Sequence, residues 1–178
     1  MMKHIFYIII SLLFFFNLSA EEKVKIKSEK FDNWFLECRE IEKKEVCELV
    51  QVLSVKESNI KFKFLYSIFK NQDGKIKEIF SIVTPLGVNL IVNPAIRFDG
   101  GKQYNSRYVK CEIFGCIISI TNNTNNEKVN KITEEVIGNL KNSNELELAL
   151  QIFNSKSFAI KTSLKGFSKG QKELKKKL

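Results

Sequence analysis

The stretch YVKCEIFGCIISI, Tyr108 to Ile120, carries two of the four cysteines with four residues between them, set between two apolar runs. In an extended chain Cys111 and Cys116 stand about 16 Å apart at roughly 3.3 Å per residue, whereas a disulfide needs Cα atoms about 4.4 to 6.8 Å apart. Pairing therefore makes the chain reverse. Glu112, Ile113, Phe114 and Gly115 become the tip of a hairpin, and Gly115 is free to take the positive φ that such loops use.

The segments around this clip read as strands. In FDNWFLEC, residues two apart share a face, which sets Trp34, Leu36 and Cys38 together and sends Phe35 and Glu37 the other way. VCELVQVLSV aligns Cys47, Leu49, Leu53 and Val55, so that both cysteines face the core, and the charged REIEKKEV between them reads as an exposed connection. IKFKFLYSIF sets Ile60, Phe62, Phe64 and Ile68 against an outward Lys61 and Lys63. NQDGK supplies a turn, and KIKEIFSIVT returns as a strand. TPLGVNLIV is expected to start a further strand after Pro85 and Gly87, with Leu86, Val88, Leu90 and Val92 on one face. AIRF and YNSRYVKC are expected to pair around Asp99, Gly100 and Gly101. Glu21 to Lys30 reads as a polar lead-in.

Beyond TNNTNNEK the period changes. Val129, Ile132, Val136, Ile137 and Leu140 recur at helical spacing, which predicts a core-facing helix over about Glu127 to Leu140. ELELALQIF and KSFAIKTSL restore the strand pattern, and GFSKGQKELKKKL predicts a short closing helix whose final lysines suit a helix C-terminus.

Met1 to Ala20 has the three parts of a secretory leader: Lys3, an apolar core from Ile5 to Phe16, and small residues Ser19 and Ala20. At roughly 12 residues the apolar core falls short of the about 20 that a membrane span needs. Cleavage after Ala20 is expected, leaving a single domain over 21–178, periplasmic or secreted. Net charge is +9 and the pI about 9.3. The arginines are only Arg39, Arg97 and Arg107; the charge is lysine spread along the chain, which does not fit a nucleic-acid stripe.

The single histidine, His4, lies in the leader. The remaining chain therefore has no Ser-His-Asp or Cys-His catalyst and no histidine-ligated metal site. Gaps of eight and four residues between cysteines do not match zinc spacing, and export favours oxidation. Of the three connectivities, the local pairs Cys38–Cys47 and Cys111–Cys116 are expected. No cofactor, metal ligand or catalytic residue emerges. The acid pairs Glu134/Glu135 and Glu145/Glu147 read as solvated surface; a hydrolase working through carboxylates is the alternative class to a binding or structural module. The expected partner is an envelope protein or an anionic surface glycan, met by the loops REIEKKEV, TNNTNNEK and above all EIFG, whose Ile113 and Phe114 place apolar side chains at a tight tip; the alternative is that this tip folds back onto the sheet.

The order FDNWFLEC, a second cysteine shortly after, TPLGVNL, VKCEIFGC and SLKGFSKG resembles the invasion-associated locus B family of exported bacterial proteins, over nearly the whole mature chain. Trp34, Cys38, Cys47, Pro85, Gly87, Cys111, Gly115, Cys116, Gly166 and Phe167 carry the likeness. The resemblance implies an immunoglobulin-like β-sandwich, consistent with the eight or nine strands counted here and one or two short helices near the C-terminus. It also implies a link to host-cell invasion, although a shared fold does not fix function.

Overall fold

Alternating burial becomes strands wherever one side of the chain has a core to face. The computed structural model describes residues 26–55, 60–122, 125–153 and 156–178; the leader and its cleavage point lie outside the described residues. The described residues form β1 (Ile26–Phe31), β2 (Trp34–Ile41), β3 (Lys44–Ser54), β4 (Lys61–Lys70), β5 (Ile76–Thr84), β6 (Ala95–Phe98), β7 (Gln103–Asn105), β8 (Tyr108–Glu112) and β9 (Gly115–Thr121). Helix α1 (Glu127–Asn142), β10 (Glu145–Gln151), β11 (Ser157–Ser163) and helix α2 (Phe167–Lys175) follow. Two antiparallel sheets result, ordered β1-β2-β3-β4-β5-β9-β8 and β11-β10-β6-β7. The fold is mainly β, a two-sheet sandwich with two helices.

The inner face of the large sheet carries Trp34, Leu49, Phe62, Phe64, Phe80 and Ile118, all fully buried. Leu146, Leu148 and Leu150 of β10 meet them from the small sheet, and Val136, Ile137 and Leu140 come from α1. Strand β11 contacts two strands of the large sheet: Phe158 stacks edge-on with Phe62 of β4, and Gln51 of β3 donates to the Ser163 carbonyl at 3.0 Å. Helix α1 bridges the layers, with Thr133 donating to Thr121 O of β9 and Asn139 to the Tyr104 hydroxyl of β7. Helix α2 closes the remaining inner face through Phe167, whose ring lies 5.0 Å from both Trp34 and Tyr66. Burying that ring contributes about 2 to 3 kcal/mol, and each edge-on pair adds about 0.5 to 1.5 kcal/mol.

Four expectations change. The lead-in forms β1, paired with β2 from Ile26↔Arg39 to Phe31↔Trp34; its residues are nearly all exposed, so no alternation marks it in the sequence. TPLGVNLIV is not a strand. Past Thr84, the buried last residue of β5, only Val88 is buried, in an isolated bridge to Ile152, while Leu86, Leu90 and Val92 are exposed. Two backbone bonds hold this bridge, Asn89 N to Gln151 O and Phe153 N to Gly87 O, and beyond it the Asn89 side chain accepts from Ile91 N, taking a donor that a continued ladder would use as the chain crosses between sheets. YNSRYVKC divides: Gln103–Asn105 pairs with β6 in the small sheet, whereas Tyr108–Glu112 pairs with β9 in the large one. REIEKKEV is no extended loop, since pairing runs through to Ile41↔Lys44 and leaves a two-residue turn. Glu42 and Lys43 both take positive φ, 50° and 64°, as a two-residue hairpin turn matching strand twist requires.

Candidate functional site

Both disulfides lie across neighbouring strands in direct register. Cys38 is joined to Cys47 with Cα atoms 4.0 Å apart, and Cys111 to Cys116 at 3.9 Å. The first is buried on the core face; in the second Cys116 is buried and Cys111 exposed. Glu45 lies with Cys38 and Cys47 in a grouping of metal-ligand type, but the bonded sulfurs offer no thiolate for a metal.

The second bridge clips the β8–β9 hairpin at its base, with Glu112 opposite Gly115. Gly115 has φ 144°, and a Cβ there would stand 2.2 Å from the Thr84 carbonyl. Close backbone packing against β5 thus anchors one side of the turn, and the two residues before it project. Ile113 is 95% exposed and Phe114 65% exposed.

Phe114 also lines a groove of about 710 Å³ on the outward face of the large sheet. Its floor is apolar, with Val50 and Leu65 in one cross-strand row and Val52, Val83 and Ile117 in the next. Glu37, Arg39 and Glu48 stand towards one end, with Arg39 paired to Glu48 at 3.2 Å; Lys61 and Lys63 stand towards the other. Strand alternation already turned Phe35, Glu37, Lys61 and Lys63 outward. What it lacked was the register that sets them side by side.

Most of the other sequence candidates are tied up structurally, while Glu134 is exposed on α1. Trp34 is core, packed on Phe167. Glu135 accepts from Lys102 at 2.5 Å, and that bond first, aided by the same cation's charge, holds its carboxyl below the usual value. Glu145 and Glu147 share Lys161 at 2.8 and 3.8 Å. Part of TNNTNNEK lies outside the described residues; Asn126 within it caps α1 by accepting from Val129 N. No helix among the described residues is long and apolar enough to cross a membrane.

A family model described as "Invasion associated locus B (IalB) protein" matches residues 34–175. No curated protein matches the chain. Among solved structures, the crystal structure of invasion associated protein b from Bartonella henselae is similar, with a TM-score of 0.65 at 19% identity, over 84% of this chain and 96% of that one. At that identity the likeness speaks for the fold alone.

Proposed function

This chain belongs to the invasion associated locus B family, and from that premise we propose that it is an exported, non-catalytic module of the bacterial envelope. In this reading it binds another envelope component through the β8–β9 tip. The carrying observation is the exposure of Ile113 and Phe114 on a turn that a disulfide clips and Gly115 seats against Thr84. Apolar side chains held rigidly in water lose little conformational freedom on binding and gain burial. The partner is an envelope protein or an anionic surface glycan, the second supported by the net charge of +9. The leader and the disulfides support a periplasmic or secreted location, and the family's description supports an association with invasion.

The test is a crosslinked pull-down from envelope extracts with native protein and Phe114→Ser, both checked for fold and oxidation. The variant is expected to lose the partner that the native protein recovers. Equal recovery by both removes the tip from the binding site. Amino-terminal sequencing of the same envelope protein is expected to begin at Glu21, and a hydrolase substrate panel is expected to show no turnover.

A further inference from the structure

The outward face of the large sheet is complementary to itself. We propose that it pairs with the same face of a second copy of this chain, around a two-fold axis. This inference does not rest on what the β8–β9 tip binds.

The register gives the layout. Glu37 lies opposite Glu48; the next outward row holds Phe35, Val50, Leu65 and Ser81; the next holds Val52, Lys63, Val83 and Ile117; Lys61, opposite Ser54, follows. Outward rows are two residues apart, so the glutamates stand about 13 Å from Lys63 and about 20 Å from Lys61 along the strands. Both glutamates therefore sit towards one end, with Arg39 in the row beyond them opposite Val46, lysine sits at the other end, and an apolar band lies between.

Three features make this more than an ordinary solvated face. Phe35 and Val52 are exposed in the band, 37% and 53%, and Val46 and Phe69 just beyond the glutamate row, 41% and 37%, where an antiparallel sheet facing water normally alternates to polar residues. Val50 in their midst is only 2% exposed, a sunken floor for an incoming side chain. The charges are arranged like with like: Glu37 directly faces Glu48, a destabilising cross-strand pairing, and only Glu48 has Arg39 to offset it. Among the described residues, Glu37, Lys61 and Lys63 form no ion pair. A second copy rotated by a two-fold brings its lysines over these glutamates and its glutamates over these lysines, while the apolar bands meet at the axis. One contact is thus made twice, as in any isologous pair. The five strands β2, β3, β4, β5 and β9 span about 19 Å and the rows about 20 Å. A footprint of that size lies at the small, reversible end of interfaces, so association is expected in the micromolar range.

The experiment is sedimentation velocity on the exported, oxidised protein, from micromolar to a few hundred micromolar. Wild type is compared with Lys61→Glu/Lys63→Glu, with Glu37→Lys/Glu48→Lys, and with an equal mixture of the two variants. Wild type is expected to dimerise with concentration, and each variant alone at least about tenfold more weakly, because the residues brought together across the two-fold then carry the same sign. Mixing is expected to restore dimers, now of one acidic and one basic chain, which a folding defect in either variant does not produce. A monomeric wild type overturns the proposal, as do variants that dimerise like wild type or a mixture that stays monomeric. A monomeric wild type whose envelope crosslinks are lost on Lys61→Glu/Lys63→Glu assigns the face to a different partner and equally overturns it.

Discussion

Tyr66 donates its phenolic hydrogen to Glu78 Oε1 across 2.5 Å, joining β4 to β5 at a fully buried ring. Gln171 of α2 donates to the same hydroxyl at 2.6 Å. The C-terminal helix is therefore docked by a polar pair as well as by Phe167. Burial first, and the bond to Glu78 second, push the Tyr66 pKa well above its usual 10.0.

The sign of the pH effect follows. The folded protein keeps the Tyr66 proton at a pH where the unfolded chain has lost it, so this contribution to stability is fully present below about pH 10 and declines above it. Urea midpoints are expected to fall more steeply above about pH 10 in wild type than in Tyr66→Phe. Near neutral pH the Phe variant is expected to cost about 1 to 3 kcal/mol, because Gln171 and Glu78 lose their shared partner. Parallel slopes for the two proteins contradict this assignment.

The two bridges close short loops, with sequence separations of 9 and 5. Each is expected to contribute about 2 to 3 kcal/mol by loop entropy. Cys111 is exposed whereas both partners of Cys38–Cys47 are buried, so mild reductant is expected to open Cys111–Cys116 first. Timed alkylation with peptide mapping reads the order. A crosslinked peptide joining the Cys38 and Cys111 regions contradicts the pairing itself.

Gly166 has φ 97°, and a Cβ there would lie 1.9 Å from the Phe31 carbonyl; Gly100 has φ 70° with open space around it. Gly100→Ala is expected to cost about 1 kcal/mol from backbone strain alone. Gly166→Ala adds a collision with β1 and is expected to cost upwards of about 3 kcal/mol. Chemical denaturation of both variants checks the difference.

Phe114→Ser and Ile113→Ser are expected to change stability by less than about 0.5 kcal/mol, since the side chains gain little burial from their own domain. Thermal midpoints measure this directly. A large loss means that the tip packs on the sheet in solution and is not free for a partner.

The amino-acid sequence by itself determined those elements whose signal is local. The faces of β2, β4 and β10 follow from alternation, because Trp34, Phe62 and Leu148 each have a solvated neighbour to contrast with. The span of α1 follows from the 3.6-residue recurrence of Val136, Ile137 and Leu140, and the hairpin clip from the four-residue gap between Cys111 and Cys116. Only the tertiary structure decided the rest. Strand β1 has no buried face to pattern it, and its hydrogen bonds to β2 carry no side-chain signature. Ser106 and Arg107 pass between sheets without a compositional break. The outward groove needs the register of five strands before Glu37, Val50, Lys63 and Ile117 become neighbours. Tyr66 and Gln171 meet across 105 residues of chain, a distance at which spacing no longer dictates contact and packing does.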